Sequence, residues 1–61
     1  MKHALDFKLV KPARSSGGDK YEVSIPGVPQ SFSIYVPQKI SRPNGSTALD
    51  MLRITIEEAT S

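Results

Sequence analysis

The sequence contains no cysteine and only one histidine, and both scarcities exclude chemistry. Without cysteine the chain can form no disulfide and can offer no thiolate to a metal ion. The histidine, His3, stands near the N-terminus, where chains tend to fray, and the spacing pairs no serine with a base. We therefore expect no catalytic residues, no metal and no cofactor, in a protein that is not an enzyme.

Two further sources of reactive or phosphate-binding groups are also missing. Glu57 and Glu58 are adjacent, but neighbouring side chains of a strand point to opposite faces, so these carboxylates do not form an acid–base pair. The stretch SSGGDK, residues 15–20, lacks the GxxxxGK spacing of a phosphate-binding loop and is not followed by a helical pattern. We interpret it as a mobile hairpin loop.

The sequence has no long hydrophobic run, and the chain is short. No run of apolar residues reaches a length of 15, which predicts neither a transmembrane helix nor a signal-peptide core and favours a cytoplasmic protein. A domain of 61 residues buries only about 60% of the surface that its unfolded chain exposes. Since disulfides and metals are excluded, we expect one small β domain over residues 1–61, with a homodimer as the remaining way to supplement its core.

Alternation of apolar and polar residues predicts four strands. The segments are HALDFKLVK (3–11), KYEVSI (20–25), SFSIYVP (31–37) and MLRITIE (51–57). Pro26 and Gly27 fit the central positions of a type II turn, because proline presets φ and glycine accepts a positive φ. Residues 19–37 are therefore expected to form an antiparallel hairpin.

The last segment also fits a helix. Four apolar residues between positions 49 and 59 follow a 3.6-residue period, and Thr47 stands three residues before Asp50, as at a helix start. The three consecutive β-branched residues 54–56 favour a strand instead. We predict the strand and keep a short helical turn near residues 47–52 as the alternative.

The predicted strands share one apolar face. Its twelve members are Leu5, Phe7, Leu9, Tyr21, Val23, Ile25, Phe32, Ile34, Val36, Leu52, Ile54 and Ile56. A flat sheet leaves such a face in water, so the sheet must curl, pack on a second copy, or be covered by residues 38–50 with Ile40 and Leu49. We predict an all-β fold, a small four-stranded antiparallel sheet curled into an open barrel, with a homodimer as the next interpretation.

The basic residues predict a binding surface. The net charge is only +2, but residues 1–30 carry five cations and three anions, whereas residues 31–61 carry three of each. An exposed aromatic ring among cations is typical of proteins that hold single-stranded nucleic acid. The candidate nucleic-acid-binding residues are Lys8, Lys11, Arg14, Lys20, Tyr35, Lys39, Arg42 and Arg53.

The segment from Ile34 to Ile56 resembles a known family. It has a strand, a proline, K-I and later D-M-L-R-I-T-I, and in this it resembles the swapped-hairpin DNA-binding domains of the AbrB type. The resemblance implies a dimeric DNA binder with Lys39 and Arg42 on DNA. Those domains have a short helix directly after the proline, which the run S-R-P-N-G (41–45) is expected to break, and a further strand that this chain lacks.

These observations lead to one functional hypothesis and one alternative. We expect a non-enzymatic small binding protein that holds DNA or single-stranded nucleic acid weakly or non-specifically through a basic and aromatic sheet face and its loops. The alternative is a protein-interaction or self-assembling module without nucleic-acid binding, because sheet edges and a small core favour pairing with another chain.

Overall fold

The computed structural model describes residues 2–60 and contains one curled antiparallel sheet. Its elements are β1 (Lys2–Lys11), β2 (Gly18–Val23), β3 (Phe32–Pro37), α1 (Gln38–Ser41) and β4 (Met51–Glu57). The strand order is β3-β2-β1-β4, and the sheet curls into a half-barrel. The predicted all-β class and four-stranded, open and curled sheet are confirmed. No helix within residues 2–60 is long and apolar enough to cross a membrane.

The register between the strands shows why alternation predicted the fold. Phe7 of β1 lies opposite Leu52 of β4, and Leu9 lies opposite Tyr21 of β2, which in turn lies opposite Ile34 of β3. Because side chains alternate with period two, this register gathers the predicted apolar residues of the four strands on the concave face. A slip of one residue would turn them all to the solvent.

The turns follow the predicted residue chemistry. The N–H of Val28 donates to the Ile25 carbonyl oxygen at 3.0 Å, and Gly27 has φ of 84°, so Ile25 to Val28 form the predicted type II turn. β2 and β3 pair on either side of this connection, which confirms the hairpin.

The C-terminal segment is the strand β4 and not a helix. The helical turn considered near residues 47–52 is wrong, because residues 47–50 are irregular and the turn of helix lies at Gln38–Ser41. This turn directly follows Pro37, so the expectation that residues 41–45 would abolish it is also wrong. Those residues end it instead, since Pro43 keeps Arg42 out of the helical conformation, with φ of −123° and ψ of 72°.

The core is one side-chain layer deep. Among residues 2–60, the buried apolar side chains are Phe7, Tyr21 and Val36. The Tyr21 hydroxyl donates to the Leu49 carbonyl oxygen at 2.6 Å, and burial raises the pKa of this phenol. Residues 38–50 do not cover the rest of the concave face as considered, because Ile40 remains 64% exposed and Leu49 is exposed as well.

A buried carboxylate ties the loops to the sheet. Asp19 lies on the concave side of β2, opposite Val36, and is fully buried. It accepts hydrogen bonds from the Ala13 N–H at 2.7 Å and the Ser41 hydroxyl at 2.5 Å. The Arg42 guanidinium donates to it twice, from Nη2 at 2.8 Å and Nε at 3.2 Å. These hydrogen bonds, led by those of Arg42, hold the pKa of Asp19 far below its ordinary value.

Asp19 should make the fold sensitive to acid. Its pKa is lower in the folded than in the unfolded chain, so its contribution to stability is complete above the ordinary value of 3.8 and is lost as the pH falls through the folded pKa. We expect urea unfolding of the wild type to show a free energy of unfolding that declines below about pH 4. Asp19→Asn should be less stable at pH 7 and should lose much of this decline.

The control for this prediction is Asp6→Asn. Arg53 lowers the pKa of Asp6 through a hydrogen bond, but both side chains are exposed, so their pairing contributes little to stability. The Asp6 variant should follow the wild-type pH profile. Equal acid sensitivity in Asp19→Asn and the wild type would show that the buried carboxylate does not couple folding to pH.

Candidate nucleic-acid interface

A shallow groove lies where the chain passes from β1 to β2 and from β3 to α1. We call this the loop end of the sheet, because β1 and β3 end there and β2 and β4 begin. The groove is open to solvent, has a volume of about 580 Å³ and is lined by Ser15, Ser16, Gly17, Gly18, Tyr35, Pro37, Gln38 and Lys39. Among the described residues, no carboxylate belongs to this lining.

The wall formed by residues 15–17 is held in place by α1. The Gln38 side-chain amide donates to the carbonyl oxygens of Ser15, at 3.1 Å, and Gly17, at 3.0 Å. Gly17 has φ of 99°, a backbone conformation that residues with a side chain rarely adopt, and this lets the chain reverse towards β2. The Arg42 guanidinium also donates to the Ala13 carbonyl oxygen at 3.2 Å, so both ends of the loop are fixed.

Gly18 brings the floor of the groove close to Tyr35. A Cβ atom at position 18 would lie 3.0 Å from the Val36 carbonyl oxygen and 3.1 Å from the Tyr35 Cβ. Real Cβ atoms rarely approach backbone this closely, so only glycine fits without movement. Tyr35 therefore lies directly beside the loop, and it is 68% exposed.

A row of two lysines and this tyrosine crosses three strands on the convex face. Lys20 of β2 lies opposite Tyr35 of β3 on one side and opposite Lys11 of β1 on the other. The register shifts by one residue between Leu9 and Lys11, so that Lys11 replaces Val10 as the partner of Lys20. Strict alternation would assign Lys11 to the concave face with Leu9, and the bulge therefore creates the row. Like charges placed directly opposite each other are unfavourable unless an anion lies between them.

The other predicted cations divide into two groups. Lys39 lines the groove, and Arg14 lies in the exposed loop at the same end. Lys8 lies on β1, further from the loop end than Lys11, and is opposite Glu22. Within residues 2–60, none of the lysines and not Arg14 forms a salt bridge. Asp50 is also at the loop end, where its carbonyl oxygen accepts from the Leu9 N–H, and it does not belong to the groove lining.

Arg42 and Arg53 are engaged within the fold. The Arg42 side chain is only 18% exposed, and its hydrogen bond to Asp19 raises the pKa of the guanidinium. Arg53 lies on β4, where Nε is 2.8 Å from Asp6 Oδ1, and this hydrogen bond raises the pKa of Arg53. Tyr35 and Lys39 line one groove, whereas Arg42 is hydrogen-bonded to Asp19 and to the Ala13 carbonyl oxygen.

Sequence reasoning missed the groove's uncharged walls. The sequence predicts a mobile loop at Ser15, Ser16 and Gly17, and the cations that flank these residues are the signal that points to a binding role. Gln38 carried no signal, because its role depends on carbonyl groups more than twenty positions away. Within residues 2–60, no three histidine or carboxylate side chains lie together in a way that could hold a metal ion.

Replacing Gly18 should disturb the groove through packing. We expect Gly18→Ala to lower the free energy of unfolding by about 1–3 kcal/mol, because the added methyl group meets backbone that cannot easily move. Urea unfolding measures the loss, and the NMR signals of Tyr35 should shift. Ser16→Ala, at an exposed lining position, is the control and should stay within about 0.5 kcal/mol of the wild type. An alanine variant as stable as the control would contradict the close approach.

Similarity to known proteins adds no functional information to this geometry. No protein-family model, no curated protein and no solved structure matches the chain. The resemblance to the AbrB type stays confined to the segment from Ile34 to Ile56, and membership of that family is not shown.

Proposed function

We propose that this protein binds single-stranded nucleic acid, without catalysis, across the loop end of its convex face. The observation that carries the proposal is the row of Lys11, Lys20 and Tyr35, which places two cations and an exposed ring side by side. An anionic ligand relieves the repulsion between the two lysines, and the ring offers it a flat apolar surface.

The roles of the residues follow from their positions. Tyr35 stacks on a base, since every base has a face that an aromatic ring can contact, whatever the sequence. Lys11 and Lys20 on one side and Lys39 on the other meet the phosphates before and after that base. Arg14 in the loop and Lys8 along β1 extend the cationic track, while Arg42 and Arg53 stay with their carboxylate partners.

A single strand suits this surface better than a duplex. Bases in a duplex are stacked on each other, so their faces are not available to a side chain, whereas an unpaired base can be turned onto a ring. Residues 15–18 of the groove lining are serines and glycines, whose small side chains leave room beside Tyr35 for a base of any identity. The proposal therefore predicts weak sequence preference and strong dependence on salt.

Removing the ring should weaken binding. Stacking contributes about 1–3 kcal/mol per base, so Tyr35→Ala should bind a fluorescein-labelled single-stranded oligonucleotide roughly 5- to 150-fold less tightly at low salt. Fluorescence anisotropy measures the change. Val28→Ala is the control, because Val28 is 48% exposed and lies in the turn between β2 and β3, at the end of the sheet opposite the groove. If both variants bind as the wild type does, Tyr35 does not stack on the ligand.

Removing one lysine should change the salt dependence. About four phosphate contacts give a slope near −3 in a plot of log affinity against log salt concentration, and Lys11→Gln should reduce its magnitude by about 0.7. The same variant should be as stable as the wild type or slightly more stable, because it relieves the repulsion from Lys20. A structural role for Lys11 would instead lower stability.

Arg53→Gln is the charge-matched control for Lys11→Gln. It removes the same charge from β4 and leaves the loop end unaltered. Its slope should equal that of the wild type. Equal losses in both variants would mean that net charge alone, and no particular surface, attracts the oligonucleotide, and an absence of binding by the wild type at low salt would refute the proposed function.

A further inference from the structure

The concave side of the sheet is incompletely covered at the end opposite the groove. A cavity of about 260 Å³ opens there, lined by His3, Leu5, Ile25, Phe32 and Ile56, and we call this surface the concave apolar patch. Phe32 is 37% exposed and Ile56 is 41% exposed, although both side chains lie on the face that carries the core. A sheet is normally stabilised by a second layer on its apolar face, and within residues 2–60 no element covers this patch.

The accessible surface area of the chain is larger than that of a compact monomer of the same mass. The chain exposes 4926 Å², whereas a compact monomer of its mass of 6.7 kDa exposes about 3,900 Å². The excess of about 1,000 Å² is close to the roughly 800 Å² that each partner buries in a stable interface. The unburied surface of one chain is therefore of the size that one partner of similar dimensions would cover.

The shape of the molecule supports the same conclusion. Its principal extents are 34 × 32 × 15 Å, so it is a slab one sheet thick. The radius of gyration is 12.7 Å, whereas a compact 61-residue domain has about 10.5 Å. Two such slabs placed face to face would have the two-layer thickness of an ordinary domain, because packed sheets lie about 10 Å apart.

We propose that a second copy of this chain covers the concave apolar patch, forming a two-fold homodimer. A two-fold interface places the same patch on both sides, so the patch must complement itself. Among the described residues its lining contains no lysine, arginine, aspartate or glutamate, so two facing copies bring no like charges of the lining together.

The sheet topology is compatible with this arrangement. β3 and β4 are the two edge strands and run in opposite directions, because three antiparallel pairings separate them. If the two-fold axis runs along the strands, β4 of one chain approaches β3 of the partner in the antiparallel sense, so unpaired backbone groups can pair as well. The groove at the loop end lies on the convex face, so the dimer leaves it open.

Sedimentation equilibrium of the wild type and two variants tests the proposal. The wild type should have a mass twice that of the 6.7 kDa chain at micromolar concentration. The dimer of Ile56→Lys should have a dissociation constant about 100-fold higher than that of the wild type, because a two-fold interface contains the substitution twice. Ile40→Lys is the matched control: Ile40 is more exposed than Ile56 but lies on α1, outside the patch, so this variant should remain dimeric.

A second measurement does not depend on the variants' folding. In a mixed sample of ¹³C-labelled and unlabelled wild-type chains, isotope-filtered NMR should show contacts between chains that involve the methyl groups of Ile56 and the ring of Phe32. A monomeric wild type at millimolar concentration, or a dimer whose contacts between chains avoid the patch, would overturn the proposal. Either result leaves oligonucleotide binding at the groove as a separate question, because the two surfaces share no residue.

Discussion

The hydrogen-bonded pair of Asp19 and Arg42 is the interaction on which the rest of the structure depends. A carboxylate buried without partners would strongly oppose folding, so Asp19 requires the donors that it receives from Ala13, Ser41 and Arg42. These donors come from the β1–β2 loop and from α1 and the residue after it. One side chain of β2 thus does what a disulfide or a metal does in other small domains, because it joins distant segments to the sheet. The exposed pair of Asp6 and Arg53 has similar geometry but orders no loop.

The same pair determines the electrostatics of the candidate interface. Asp19 lies beneath the loop end, and Arg42 balances its charge from within the fold. Because Arg42 balances the charge of Asp19, this carboxylate does not offset the positive charge of the cations around the groove. The β-bulge adds to this effect, because it brings Lys11 opposite Lys20. Repulsion between the two lysines slightly lowers the stability of the sheet, and proteins tolerate such a loss of stability where the charges bind a ligand.

The thin core and the open patch are two consequences of one limit. A chain of 61 residues can build a four-stranded sheet but has little left to form a second layer, and the short helix covers only the loop end. The molecule therefore has two ends of different character. At one end polar contacts order the loops around a basic groove, and at the other an apolar surface remains exposed. Because the two ends are separate, the proposed dimer and the proposed nucleic-acid binding do not compete for one surface.

The sequence by itself determined the strands, their apolar face and the turn at Pro26 and Gly27, because these depend on period-two alternation and on local backbone preferences. It also identified Tyr35 as an exposed residue. Only the tertiary structure decided that Asp19 faces inward, that Arg42 serves the fold, and that α1 forms directly after Pro37. The bulge that moves Lys11 into the row was equally invisible. Each of these depends on partners distant along the chain, and no local pattern encodes a contact that forms only when the sheet has folded.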